Sequence, residues 1–127
     1  MKYLLDTHAL IWYLDDNHLL SKKVKSMLCD PKNTFIVSIV SIWEIAIKLN
    51  SKKMSINYDV DGLFILIYKS KFEILPINRE HLVFYQNLDL IHKDPFDRLL
   101  ISTAIAENLT LITSDDKIHA YDVEWVW

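Results

Sequence analysis

The sequence predicts an α/β fold in which a parallel β-sheet is covered by helices on both faces. Strand-like and helix-like segments alternate along all 127 residues, and that order is typical of parallel sheets. Hydrophobic residues make up 51% of the chain, which is enough for a substantial core in one domain spanning residues 1–127. One glycine and three prolines leave little room for long loops and favour helices over the turns of a β-sandwich.

The strands are predicted from short apolar runs that are rich in β-branched and aromatic residues. A turn at Pro31-Lys32-Asn33 precedes the second of them. The five predicted strands are Lys2–Asp6, Thr34–Ser38, Phe72–Ile77, Thr110–Thr113 and Val123–Trp127. Because helical segments separate these strands, we expect them to run parallel in one sheet.

The helices are predicted from hydrophobic periodicity and from residues that suit helix N-termini. Asp94-Pro95 gives the clearest start, since Asp suits the N-cap and Pro the first helical position. The aromatic residues Trp12, Trp43 and Phe64 are expected in the core. The predicted helices are His8–Leu14, Ser21–Leu28, Ile39 to about Ser51, Asp59–Lys71, Asn78 to about Leu88, Asp94–Asn108 and a short turn over Asp116–Tyr121.

Four acidic residues interrupt strongly apolar segments: Asp6, Glu44, Asp97 and Asp115. Asp6 and Asp115 end predicted strands, and Glu44 and Asp97 lie in the predicted first turns of helices. All four positions face the edge of the sheet where the strands end, which is where ligands bind in folds of this class. We therefore expect the four carboxylates to lie close together.

Each acid also has a purely structural interpretation. Ser41 to Glu44 fits a capping box, and Glu44 could pair with Lys48 one helical turn later. Asp97 follows the predicted cap Asp94 at a position where an acid interacts favourably with the helix dipole. Asp115 or its neighbour could cap the turn that follows. Sequence alone leaves these alternatives open for each residue.

The four acids together indicate a metal site. Two carboxylates about 6 Å apart repel by roughly 3 kcal/mol at an effective dielectric constant near 20. Several such pairs require a cation or partial protonation. Oxygen ligands select Mg²⁺ or Mn²⁺ over Zn²⁺, and Mg²⁺ leaves coordination positions for a phosphodiester. The five histidines are scattered without the spacing of paired metal ligands.

Composition also limits where the protein works. Cys29 is the only cysteine, which excludes an internal disulfide and favours the reducing cytoplasm. No apolar run approaches the ~18 residues of a membrane span, so no membrane partner is expected. The net charge of −3 argues against a broad nucleic-acid-binding surface but leaves room for local lysine clusters.

The chain resembles the PIN-domain ribonucleases, and most closely the VapC-type toxins of bacterial toxin–antitoxin pairs. Four segments carry the resemblance in order and cover nearly the whole chain. They are Leu4–Trp12, Ser38–Ala46, Asp94–Ile101 and Leu111–Asp115.

The resemblance implies an α/β/α sandwich and an endonuclease that cleaves single-stranded RNA with Mg²⁺ or Mn²⁺. It implies a homodimer that a cognate antitoxin neutralises. It also assigns the metal to Asp6, Glu44, Asp97 and Asp115. Thr113 would orient a water or a carboxylate, Asp94 fits better as a cap, and Arg98 would contact phosphate or pair with an acid.

Two other functions remain open. A non-catalytic PIN-like module for RNA or protein binding would have the same fold. Another Mg²⁺-dependent phosphate enzyme is less consistent with the motifs, because a haloacid-dehalogenase-like site needs Asp-x-Asp and Asp6 is followed by Thr7 and His8.

Overall fold

The computed structural model describes residues 1–127 as five strands and seven helices. The strands are β1 (Lys2–Leu5), β2 (Thr34–Ser38), β3 (Glu73–Leu75), β4 (Thr110–Ile112) and β5 (Trp125–Val126). The helices are α1 (Thr7–Leu14), α2 (Lys22–Leu28), α3 (Ile39–Asn50), α4 (Val60–Lys69), α5 (Arg79–Gln86), α6 (Pro95–Glu107) and α7 (Asp116–His119). Every predicted element is therefore present, with shorter strands than expected at β3 and β5.

The five strands form one parallel sheet in the order β3-β2-β1-β4-β5. From the central β1 the chain builds outward through β2 and β3, then returns to the other side of β1 for β4 and β5. The direction of winding changes between β1 and β4. A crevice forms at such a point beyond the carboxyl ends of the strands, and ligands of α/β proteins bind there.

Side chains alternate between two cores on the two faces of the sheet, as the two-residue period of a strand requires. Leu5, Val37 and Ile112 face a core that α1, α2 and α4 complete. The neighbouring residues of the same strands, including Leu4 and Leu111, face a second core with α6 and α7. This arrangement confirms the three-layer α/β/α fold.

Helix caps fix where most helices begin. Ser21, Asp59, Asn78 and Asp94 each accept a hydrogen bond from a backbone amide in the first turn of the following helix, as predicted. Helix α3 differs, because Ser38 is its N-cap and accepts from the amide of Val40. The predicted capping box from Ser41 to Glu44 is therefore wrong, and Glu44 lies in the second turn of α3 rather than the first.

Two of the three predicted core aromatic residues are exposed. Trp43 is 59% exposed and Phe64 is 38% exposed, whereas Trp12 is half-buried against Trp127. Within α3 the buried positions belong to residues on other sides of the helix, including Ile42 and Ile45. Hydrophobicity alone therefore did not identify the buried face. None of the helices has both the length and the apolar character needed to span a membrane.

Candidate metal centre

The four acids predicted from the sequence converge at the carboxyl edge of the sheet. Asp6 follows β1 directly, Asp115 lies three residues after β4, and both flank the crevice between these strands. Glu44 and Asp97 reach the same place from α3 and α6. Electrostatic repulsion couples Asp97 to both Asp6 and Glu44, and it also couples Asp6 to Asp115.

Asp6 is a buried carboxylate that also caps a helix. It is 4% exposed, and one oxygen accepts a 2.7 Å hydrogen bond from the amide of Ala9 in α1. Burial raises the pKa of Asp6, although hydrogen bonds from Thr113 and Ala9 oppose the shift. The cap accounts for only part of its hydrogen-bonding capacity, so Asp6 remains available to a ligand.

Glu44 is buried and held on two sides. Its Oε1 accepts a 2.7 Å hydrogen bond from the hydroxyl of Thr7, and its Oε2 lies 3.0 Å from Nζ of Lys48. The predicted pairing of Glu44 with Lys48 is thus present. It coexists with a position facing the other acids, so the structural and the functional interpretations of Glu44 are compatible.

Asp97 has a strongly perturbed carboxyl group. Burial, followed by repulsion from Asp94, Asp6 and Glu44, raises the pKa of Asp97 to about 7, and His92 only partly offsets the shift. At neutral pH a substantial fraction of Asp97 is therefore protonated when nothing else compensates the negative charge.

His92 is the residue at this site that the sequence did not reveal. It is buried, and its Nε2 lies 2.9 Å from Oδ2 of Asp115 and 3.1 Å from Oδ2 of Asp97. Its Nδ1 accepts a hydrogen bond from the backbone amide of Asp94 at 3.1 Å. This bond assigns the proton of a neutral imidazole to Nε2, where it points at the two carboxylates.

The signal for His92 was its place two residues before Asp94-Pro95. A search for pairs of histidines at metal-ligand spacing does not find His92, because its partners are the acids Asp97 and Asp115.

The carboxyl group of Asp115 ionises more readily than an isolated aspartate does. Burial raises the pKa of Asp115, but hydrogen bonds from His92 and from the amide of Lys117, with the charges of both residues, outweigh it and lower the pKa. Asp115 also caps α7 through the Lys117 amide. Thr113 is fully buried and accepts a hydrogen bond from the amide of Asp115 while it bonds Asp6, so it lies between two of the acids.

The two other predicted site residues have structural contacts. Asp94 accepts hydrogen bonds from the amides of Phe96 and Asp97 at 2.8 and 3.2 Å, so it is the N-cap of α6. Arg98 is buried, and its guanidinium group bonds backbone carbonyls and the hydroxyl of Tyr121. None of the hydrogen-bond partners of Arg98 is a carboxylate, and its guanidinium lies inside the protein rather than at the crevice.

The donor set fits a hard divalent cation. One ligand atom each from His92, Asp97 and Asp115 lies within 4.8 Å of the others. Because Nε2 of His92 carries a proton, the carboxylate oxygens are the available donors, and oxygen donors suit Mg²⁺ or Mn²⁺. Asp6 and Glu44 also lie close enough to repel Asp97, and Lys48 is the only lysine or arginine in salt-bridge contact with these four acids, which leaves an excess of negative charge. A bound cation would relieve that excess charge.

Comparison with known proteins identifies the family. The model of the PIN domain matches residues 3–124. Among solved structures, VapBC2 from Rickettsia felis bound to a promoter DNA fragment aligns with a TM-score of 0.71 at 20% identity, over 99% of this chain and 98% of that chain. FitAcB from Neisseria gonorrhoeae aligns with a TM-score of 0.69 at 19% identity, over 98% and 96%.

A member of the VapBC family of toxin–antitoxin systems from Mycobacterium tuberculosis, VapBC-5, aligns with a TM-score of 0.63 at 19% identity, over 98% of this chain and 97% of that chain. No curated protein matches this chain in sequence. At such low identities the solved structures share the fold, and the family model adds a match along nearly the full sequence. The chain therefore belongs to the PIN-domain family.

Proposed function

We propose that this protein is a Mg²⁺- or Mn²⁺-dependent endoribonuclease and the toxin of a toxin–antitoxin pair of the VapC type. The PIN-domain match supports a nuclease. The similar folds belong to structures described as VapBC, FitAcB and toxin–antitoxin complexes, which supports a toxin. The residue arrangement at the crevice supports the chemistry.

The observation that carries the proposal is the convergence of Asp6, Glu44, Asp97 and Asp115. Four segments distant in sequence bring these carboxylates to one edge of the sheet, and burial together with repulsion from Asp94, Asp6 and Glu44 raises the pKa of Asp97 to about 7. Such an arrangement destabilises the isolated fold unless a cation binds. A site that places carboxylates beside one another at a cost in stability is typical of function rather than of architecture.

In this proposal each residue has a defined task. When bound, Mg²⁺ or Mn²⁺ supplies Lewis acidity for hydrolysis of a phosphodiester. Asp6, Glu44, Asp97 and Asp115 hold the cation through oxygen. Thr7 orients Glu44, and Thr113 orients Asp6. The Nε2–H group of His92 is shared in hydrogen bonds with Asp97 and Asp115.

The partners follow from the same proposal. The substrate is RNA, a cognate antitoxin binds the toxin, and the active form is a cytoplasmic homodimer of one nuclease domain per chain. The exposed apolar side chains include Trp43, Leu82 and Leu90, which is compatible with surfaces that partners cover.

The first prediction concerns cleavage by the purified protein. Metal-free protein should not cut single-stranded RNA, and Mg²⁺ or Mn²⁺ should restore cleavage. Asp97→Asn and Asp6→Asn should each lower the cleavage rate at least about 100-fold, because they remove charged ligands of the cation. Asp59→Asn is the matched control, since Asp59 caps α4 outside the site and Asn caps equally well.

Cleavage that persists in EDTA would exclude the metal mechanism. Absence of cleavage with every RNA and metal would favour a non-catalytic binding module. Mapping RNA ends after induction of the protein in cells identifies the target, with the Asp97→Asn variant as the background.

A further inference from the structure

The hydroxyl of Tyr121 and the guanidinium of Arg98 form a buried junction under the loop that ends at His92. The Tyr121 hydroxyl donates to the carbonyl of Asp89 at 2.7 Å and accepts from the amides of Ile91 and His92 at 3.0 and 2.7 Å. Arg98 Nη1 lies 3.1 Å from the same hydroxyl oxygen. We refer to Arg98 and Tyr121 together as the loop clamp.

Arg98 also binds the backbone of this loop. Its Nη1 donates to the carbonyls of Asp89 and His92 at 2.8 and 3.2 Å, and its Nη2 donates to the carbonyl of Leu88 at 3.3 Å. The guanidinium also lies 5.1 Å from the centre of the Tyr85 ring. Carbonyl dipoles and an aromatic face thus stabilise a buried positive charge that has no carboxylate partner.

Both backbone polar groups of His92 are hydrogen-bonded to the loop clamp. Its amide donates to Tyr121 and its carbonyl accepts from Arg98. A third bond, from the amide of Asp94 to Nδ1, fixes the ring. These three hydrogen bonds fix both the backbone of His92 and the orientation of its ring. As a consequence, Nε2 points toward Asp97 and Asp115.

We propose that Arg98 and Tyr121 are positioning residues, which hold His92 so that it fixes the Asp97 and Asp115 carboxylates in the geometry that binds the cation. This inference rests on the proposed metal-dependent function. If the loop clamp only stabilised the loop, hydrogen bonds to any of the loop carbonyls would be enough. This one also bonds both polar groups of the single loop residue that reaches the acids.

The test uses Tyr121→Phe, which removes the hydroxyl and keeps the ring in its core. In the full-length, metal-free protein, the amides of Ile91 and His92 should lose hydrogen-exchange protection, and the NMR signal of the His92 ring should shift and broaden. The ring of His81, which bonds Glu107 at 2.8 Å, is the internal reference and should not change. Tyr58→Phe, which removes a buried hydroxyl on the opposite face of the sheet, is the matched control variant.

Mn²⁺ affinity of the folded protein, measured by EPR or calorimetry, should fall about tenfold or more in Tyr121→Phe, since residues that orient metal ligands typically contribute this much. The affinity should stay at the wild-type value in Tyr58→Phe. In a His92→Ala background, the Tyr121 substitution should have no further effect, because Tyr121 acts through His92.

An unchanged affinity in Tyr121→Phe, or an equal loss in both backgrounds, would overturn the proposal. Failure of the wild type to bind Mn²⁺ would instead refute the proposed function. The exchange and NMR results then still decide whether the loop clamp positions His92. Should Tyr121→Phe not fold, Arg98→Lys replaces it, because a lysine keeps the charge but lacks the fork that reaches the carbonyls of Leu88, Asp89 and His92.

Discussion

The Asp97 carboxyl group is buried beside other acids, so the free energy needed to ionise it depends on folding. Its pKa is about 7 in the folded protein, whereas an unfolded Asp ionises near 3.9. Between these values the folded protein holds a proton that the unfolded chain has lost. The free energy of unfolding of the metal-free protein therefore falls as pH rises from about 4 to about 7, and this contribution is constant above that range.

The second prediction follows from that sign. Asp97→Asn removes the charge and keeps an oxygen that accepts a hydrogen bond from His92. In the absence of metal it should raise the melting temperature at pH 8 by several degrees, since burial and repulsion together disfavour the charged carboxylate by a few kcal/mol in order of magnitude. Thermal unfolding at several pH values measures the effect, which should shrink toward zero near pH 4.

The pH dependence distinguishes removal of a buried, repelled charge from other effects of the substitution. Asp59→Asn, at a cap outside the site, should show no such trend with pH. A large loss of stability in Asp97→Asn at pH 8 would mean that the charged form of Asp97 supports the fold.

The third prediction concerns the hydroxyl that holds Glu44. Thr7→Val keeps the shape of the side chain and leaves the buried Glu44 carboxylate without its 2.7 Å donor. The free energy of unfolding should fall by about 1.5–3 kcal/mol, the usual contribution of a hydrogen bond to a charged group. Denaturant unfolding measures it, and Thr7→Ser should retain most of the stability. Equal losses in the two variants would assign the effect to packing instead.

The convergence of the four acids could be inferred at the residue scale because each one interrupts an apolar segment at the predicted end of a strand or start of a helix. His92 could not be inferred in the same way. Its partner Asp115 lies 23 residues away, and the bond that sets its tautomer comes from a backbone amide. The place of His92 just before Asp94-Pro95 and Asp97 is visible in the sequence, but it does not show that the ring contacts acids.

At the scale of elements, the start of α6 separates a structural acid from the proposed ligands. Asp94 accepts from two amides of the first turn, and Pro95 begins the helix. The cap sets the direction of α6 and thereby the position of Asp97. Its charge also contributes to the raised pKa of Asp97.

The fourth prediction compares two substitutions at this cap. Asp94→Asn should keep both the stability and the cleavage activity, because Asn caps as well as Asp does. Asp94→Ala should be less stable than Asp94→Asn by about 1 kcal/mol, which is the typical value of a lost cap. Both substitutions remove the same negative charge, so the difference in stability between the two variants reports the lost cap alone. Loss of cleavage in a stable Asp94→Asn protein would make Asp94 a ligand rather than a cap.

Element types could be predicted from the sequence, whereas some boundaries and buried faces could not. Caps such as Asp59 and Asn78 bond amides only three residues later, so they can be predicted from the local sequence. The strand predicted over Phe72–Ile77 is only Glu73–Leu75 in the structure, because pairing with β2 ends there. Exposure of Trp43 depends on which side of α3 faces the sheet, which tertiary packing decides.

At the scale of the whole molecule, the order of the strands determines where the site lies. Alternation of strands and helices predicts a parallel sheet but not the order β3-β2-β1-β4-β5. That order places β1 at the centre, with hydrogen-bonded neighbours on both sides and both faces covered. Asp6, directly after β1, is therefore attached to the most enclosed strand, and Asp115 follows the strand beside it.

The fifth prediction is that local stability follows this order. Amides of β1, where Leu4 and Leu5 are fully buried, should exchange only on global unfolding, while those of the edge strands β3 and β5 should exchange through local opening. Hydrogen exchange under native conditions measures the difference. Mg²⁺ or Mn²⁺ should raise protection of residues 88–97 while the ranking of the strands stays the same, because binding stabilises the folded site by mass action. Equal protection in β1 and β3 would mean that something covers the β3 edge. A metal effect spread evenly over the chain would contradict a cation held at this one edge of the sheet.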